Sequence, residues 1–190
     1  IVERIGTDGD IQMAIKLIFS PDKGKVLGGQ IVGEEGVDKR IDVLATAIHG
    51  GMTVFDLEEL ELAYAPPYSS AKDPINMAGF VAANVLKGDL EVIHWNSLSE
   101  LNGDNTVLLD LRTKREIDKL GTIPGAVHVP VDDLRATLET LDPTKDYIAF
   151  CAVGMRGYLA HRILVQNGFK SKNLSGGFST FSIAVTEVTG

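Results

Sequence analysis

The chain has a single cysteine, Cys151, among 190 residues. That excludes an intrachain disulfide and a cysteine-rich metal cluster, and no metal site is expected; the usage fits a reducing compartment, so a cytoplasmic location is expected. Long apolar runs are missing as well. None approaches the roughly 18–20 residues that cross a bilayer, and the opening Ile1-Val-Glu-Arg-Ile5 is not a basic leader followed by an apolar core. Neither a membrane anchor nor a secretion signal is expected. The third absence is positive charge. The formal net charge is −8, with 8 basic against 13 acidic side chains in residues 1–87 and 10 against 13 in residues 88–190. The densest basic group, Arg112-Thr-Lys114-Arg115, is short and flanked by acids, which argues against nucleic acid as a partner. What remains, 44% apolar and 23% charged residues, is an ordinary globular mixture with no low-complexity tract. The chain starts without Met in a strand-like segment and reads as a piece of a longer protein.

Length alone does not choose between one domain and two, but the rhythm of the sequence does. Residues 12–20, the turn Pro-Asp-Lys-Gly-Lys25 and the run Lys25 to Gly33 form a hairpin signature. Apolar residues from Val37 to His49 recur at helical spacing and stop at Gly50-Gly51. Residues 55–63 suit either a short helix or an edge strand. Tyr64-Ala-Pro-Pro-Tyr68-Ser-Ser breaks regular structure, because Pro66 and Pro67 remove two amide donors. A helix should restart at Asp73 or Pro74 and run to about Lys87, Asp being a good cap and Pro suiting the first turn. The first half is thus expected to be an α+β domain over residues 1–87. Beyond Gly88 the pattern changes to short β-prone runs (92–95, 106–111, 126–131, 146–151) separated by helical stretches near 113–119, 131–140 and 156–167. Strands alternating with helices predict an α/β domain over 88–190 with a central, largely parallel sheet.

The chemistry concentrates at Cys151-Ala-Val-Gly154-Met-Arg156-Gly157, placed between an apolar strand and a helical run. A strand-to-helix turn can aim several backbone N–H groups at one point and add the positive end of a helix dipole, which favours an anion. A thiolate is an anion, so those donors and Arg156 would favour a nucleophilic sulfur near neutral pH. Gly154 lets the loop curl without an obstructing side chain. A lone cysteine at a strand end is commonly just a small buried hydrophobe; glycine and arginine at this spacing favour the reactive reading. His161, ten residues further along the helix, reads as a packing or surface residue.

This loop resembles the Cys-x-x-Gly-x-Arg active-site loop of rhodanese domains. Leu108-Leu-Asp110-Leu-Arg112 is similar to the family's Asp-Val-Arg strand end, Glu116 to its following acid, Ile123-Pro-Gly-Ala126 to its Pro-Gly-Ala turn, and Leu174-Ser-Gly-Gly177 to its late double-glycine turn. Thr122 stands where the family often has His, and Phe178 or Phe181 where Trp is common. The resemblance implies sulfur transfer, with Cys151 as the catalytic nucleophile carrying a persulfide, Arg156 assisting, and Ala152, Val153, Gly154, Met155 and Gly157 cradling the transferred sulfur. Asp110 and Arg112 would brace the loop or bind substrate; the alternative is a surface ion pair. Four residues between Cys151 and Arg156 suit one sulfur atom, whereas related phosphatases use five. A cysteine phosphatase or arsenate reductase is the alternative enzyme, and a non-catalytic dimerising or regulatory module the alternative of another class. With no second cysteine, a persulfide must discharge to an external thiol.

Residues 1–87 contain neither a Gly-x-Gly-x-x-Gly nor a Gly-x4-Gly-Lys-Ser/Thr cradle. Glu61 to Phe80, with Tyr64-Ala-Pro-Pro-Tyr68 and Asp73-Pro-Ile-Asn, resembles the dimerisation domain of pyridine nucleotide-disulfide oxidoreductases, and Gly29-Gln-Ile-Val-Gly33 and His49-Gly-Gly-Met-Thr also match it. The nearest branch holds coenzyme A disulfide reductase, NADH oxidase and persulfide reductase, in places fused to rhodanese. The resemblance implies a homodimer in which Tyr64, and with less support Tyr68, reaches the partner's flavin and thiol site. It also implies FAD, NAD(P)H and coenzyme A for a full-length protein, and coenzyme A, glutathione persulfide or polysulfide as substrates.

Overall fold

A computed structural model describes residues 2–5, 13–65, 70–101 and 105–189. The chain divides into two compact units, Ile1–Asp89 and Leu90–Gly190. The first is built on an antiparallel sheet of β1 (Val2–Ile5), β2 (Met13–Phe19) and β3 (Val26–Gly33), in that spatial order. Alternation along β2 sends Met13, Ile15 and Leu17 into the core, the period-two pattern of a sheet with one face covered. The cover is helical. Leu44 and Ala47 of α1 (Val37–His49), Val54 and Leu57 of α2 (Val54–Glu59), and Ile75, Ala78, Ala82 and Ala83 of α3 (Pro74–Leu86) complete the same cluster.

The segment at 55–63 that suited helix or strand is a helix, α2, and its start explains why. Thr53 Oγ1 accepts from the Asp56 amide while Asp56 accepts from the Thr53 amide, so two orphan donors are satisfied by a reciprocal cap. The α3 start repeats the device with Asp73 and Asn76, and Pro74 occupies the first turn. Asn76 then does a second job. Its Nδ2 donates to the carbonyls of Leu57 and Leu60 at 3.0 and 2.9 Å, tying the end of α2 to the start of α3. Asp73 also receives Arg40 of α1 at 2.9 Å, so one buried carboxylate links two helices.

The second unit is a five-stranded, all-parallel sheet in the order β4 (Val92–Ile93), β8 (Lys170–Leu174), β7 (Asp146–Phe150), β5 (Thr106–Asp110), β6 (Val127–His128). Helices α4 (Lys114–Leu120), α5 (Leu134–Thr137), α6 (Met155–Gln166) and α7 (Gly177–Thr189) connect and cover it. Leu109, Tyr147 and Ala149 pack against Ala160 and Leu164 of α6 on one face. Ile148, Phe150 and Leu174 pack against Phe178 of α7 on the other, as a buried parallel sheet requires.

Several elements differ from expectation. In the run 126–131 the edge strand is only Val127–His128; the Val129 and Val131 amides still bond the Asp110 and Leu111 carbonyls, and Pro130 between them has no N–H to offer. The helix expected over 131–140 is one turn, α5, followed by a 3-10 turn at Leu138–Thr140. Strand β8 and helix α7 were not foreseen, because Lys-Ser-Lys-Asn-Leu174 lacks an apolar rhythm and the α7 sequence is rich in Ser, Thr and β-branched residues.

Gly79 in α3 sits so close to α2 that a Cβ would lie 2.8 Å from the Glu58 amide nitrogen and 2.9 Å from Leu57 Cβ. Alanine in a helix normally stabilises relative to glycine. Here the sign should invert: Gly79→Ala is expected to destabilise the chain by about 1–3 kcal/mol in urea denaturation, the usual cost of overpacking. A neutral or stabilising result would refute this close approach.

Candidate functional site

Cys151 follows β7 directly and is 1% exposed at the carboxyl end of a central strand, where open parallel sheets place their chemistry. The chain then turns through Ala152 and Val153, both half-buried, to Gly154 at the start of α6. Gly154 has φ 143°, a conformation closed to ordinary L residues, and its amide donates to Cys151 Sγ at 3.2 Å. Met155 is 48% exposed, Arg156 half-buried, and Gly157 buried where a Cβ would strike Asn173 Oδ1.

Two further elements hold this loop open. The amides of Phe178 and Ser179, orphan donors in the first turn of α7, bond the carbonyls of Cys151 and Ala152 at 2.8 and 3.0 Å. In a planar trans peptide the N–H points opposite to the C=O. The Ala152 and Val153 amides are therefore turned away from α7, leaving them free to serve an anion. Gly177 is required for this contact, since φ is 56° and a Cβ would come within 2.8 Å of the Ala152 carbonyl oxygen. From the sheet side, Asn173 Nδ2 donates to the Gly154 carbonyl at 3.2 Å.

Arg156 does not stand alone. Its Nη1 and Nη2 donate to the two oxygens of Glu116 at 2.8 and 2.6 Å, a bidentate pair between α6 and α4. Glu116 is itself fixed, because its Oε2 accepts from the amide and hydroxyl of Thr113 in the cap of α4, each at 2.8 Å. The bonds from Arg156, helped by those from Thr113, outweigh burial and lower the Glu116 pKa to about 2. The Arg156 guanidinium is held still more firmly positive, chiefly by Glu116 and in smaller measure by Cys151.

Asp110 and Arg112 are fully buried, which overturns the surface-pair alternative. Arg112 Nε and Nη2 bond Asp110 at 2.9 and 2.6 Å, Nη2 also reaches the Gly121 carbonyl, and Thr122 donates to Asp110 at 2.6 Å. Burial alone would raise the Asp110 pKa, but these donors outweigh it and hold the carboxyl below its usual range. The guanidinium lies 3.9 Å from the Phe178 ring centre, so the pair braces the loop through α7. His161 is a core residue: burial pushes its pKa down, and Nε2 accepts from the Glu91 amide at 3.3 Å. In the first unit, Tyr64 is 55% exposed. Tyr68, Pro66 and Pro67 lie outside the described residues.

Residues 2–74 match the family model for the dimerisation domain of pyridine nucleotide-disulphide oxidoreductases, and residues 95–184 match the rhodanese-like domain. Each unit is thus similar to one of these two families. The coenzyme A disulfide reductase of Staphylococcus epidermidis is 46% identical over 74 residues, 39% of this chain and 17% of that protein. Reduced CoADR-RHD from Bacillus anthracis superimposes with a TM-score of 0.90 at 42% identity over 98% of this chain and 34% of its own. A NAD-dependent persulfide reductase from A. fulgidus gives 0.81 at 36% identity, over 94% and 33%. The chain spans at most about a third of the length of these relatives. Among the described residues no helix is long and apolar enough to cross a membrane.

Sequence reasoning singled out Cys151 and Arg156 in this rhodanese-like unit but did not pair Arg156 with Glu116. The Thr113-x-x-Glu116 cap was legible; its partner 40 residues later was not. A carboxyl whose pKa is depressed by folding stabilises above its ordinary value and loses that contribution as pH falls through the folded one. Between pH 4.5 and about 2, stability should therefore fall more steeply in the wild type than in Glu116→Gln. Parallel urea-denaturation profiles across that window would contradict the pairing.

Proposed function

We propose that this chain is the dimerising and sulfur-carrying part of a flavin- and NAD(P)H-dependent reductase of coenzyme A disulfides, persulfides or polysulfides. The observation that carries the sulfur-transfer reading is Cys151 Sγ at 3.2 Å from the Gly154 amide, in a loop whose Ala152 and Val153 amides face away from α7. The Cys151 thiolate attacks the outer sulfur of a donor R–S–S⁻; the new S–S bond of Cys–S–S⁻ forms as the donor's own S–S bond breaks, and R–S⁻ leaves to take a proton. The loop amides then carry the negative charge of the terminal sulfur. Chain-external thiol reverses the step, since Cys151 is the only cysteine present.

The short loop, with four residues between Cys151 and Arg156, favours a single sulfur over a tetrahedral phosphate, and Arg156 is already held by Glu116. The relatives' names support disulfide or persulfide reduction for the whole protein. Bound flavin and nicotinamide would supply the two electrons that convert a persulfide to thiol and sulfide. The sequence has no Gly-x-Gly-x-x-Gly cradle for either dinucleotide, so both would be held by other parts of the protein. Residues 1–87 would form the homodimer. The exposure of Tyr64 suits a side chain offered to the neighbouring subunit's flavin and thiol site, with Tyr68 beside it.

Incubation with glutathione persulfide should add one sulfur, about 32 Da, to wild type by mass spectrometry and nothing to Cys151→Ala. Hydrolysis of an aryl phosphate without sulfur uptake would replace this reading with a phosphatase.

A further inference from the structure

We infer that Glu116 sets the charge of the sulfur donor that Cys151 accepts, by filling and neutralising the one cation of the loop so that monoanionic donors are favoured over dianions. This rests on the sulfur-transfer reading and adds a selectivity to it.

From Cys151 to Arg156 the loop carries a single charged side chain besides the thiol, Arg156 itself; Ala152, Val153, Gly154 and Met155 have none. A guanidinium fork binds a dianion such as thiosulfate or phosphate by presenting two parallel N–H groups. In this site both terminal nitrogens already face a carboxylate, Nη1 to Glu116 Oε2 and Nη2 to Oε1. Glu116 is not free to withdraw. Its backbone belongs to the first turn of α4, and the Thr113 amide and hydroxyl hold the same oxygen that Nη1 uses. The pair therefore brings no net charge to the mouth of the loop. What remains within the loop itself for an incoming donor is its neutral backbone amides and the exposed apolar side chain of Met155, 48% accessible. Amides of this kind stabilise the single negative charge of a terminal sulfur, but they do not offset the second charge of a dianion. A fixed carboxylate near the entrance adds repulsion to it.

The test uses two sulfane donors of similar shape that differ by one charge, thiosulfate (leaving group sulfite) and methanethiosulfonate (leaving group methanesulfinate). In each, the Cys151 thiolate takes the outer sulfur as the S–S bond to the leaving group breaks, so no further reagent is needed beyond a thiol acceptor. For the 190-residue chain, KM for thiosulfate should exceed that for methanethiosulfonate. Glutamine at 116 keeps an oxygen for the Thr113 cap while removing the charge. Glu116→Gln should therefore lower KM for thiosulfate by about tenfold, the order expected for one charge removed across a few ångström of partly wet protein, with methanethiosulfonate changed by less than about threefold and kcat little altered. Adding Arg156→Gln to that variant should erase the gain. Sulfur uptake from both donors with a thiosulfate preference that Glu116→Gln leaves unchanged would overturn the inference alone. Equal KM values for the two donors in the wild type would also overturn it. Failure of both donors to label Cys151 would instead overturn the sulfur-transfer reading beneath it.

Discussion

A charge pair with no access to water organises the second unit. Asp110 and Arg112 have 0% side-chain exposure, and removing one partner of such a pair generally costs about 3–5 kcal/mol because the other is left as an uncompensated buried charge. The desolvation is offset by a dense set of donors and acceptors: the Arg112 amide, Nε and Nη2, the Thr122 hydroxyl and the Gly121 carbonyl. These join the end of β5 to the turn after α4. The guanidinium face then meets Phe178, the residue whose amide holds the Cys151 carbonyl. The buried pair thus reaches the Cys151 carbonyl through Phe178.

The electrostatics of the loop are divided between backbone and side chains. Arg156 is the only formal cation within the loop, and Glu116 balances it. Cys151 also acts on Arg156, so an anion at Sγ would meet that guanidinium as well as the peptide N–H groups at the amino end of α6. Helix α7 contributes from the other direction. By taking up the Cys151 and Ala152 carbonyls it keeps the Ala152 and Val153 amides turned away from itself.

The first unit uses a comparable economy of polar groups around an apolar core. Asp73 caps α3, accepts from Ile75 and receives Arg40, while Asn76 returns the cap and fastens two carbonyls of the preceding segment. Both side chains are nearly inaccessible and both are fully engaged. Buried polar groups tolerate no near misses, so this network fixes how α1, α2 and α3 meet as firmly as the aliphatic cluster does.

The local signals were legible where a rule acts within a few residues. The hairpin at 13–33, the caps before α3 and α4, and the strand-to-helix turn at Cys151 all follow from spacing, proline and glycine placement, or side-chain type. Interior β8 was not legible, because Ser171 and Asn173 are polar residues buried by their position between β4 and β7. Nor was α7, whose helix depends on packing rather than propensity. The sequence by itself determined that one cysteine would carry any thiol chemistry and that it would sit where a strand hands over to a helix. Only the tertiary structure decided what surrounds that sulfur. Glu116 reaches Arg156 across 40 residues, and the amides that hold the loop carbonyls come from a helix 26 or more residues downstream. No local pattern encodes those distances, since they exist only once the parallel sheet has brought its strand ends together.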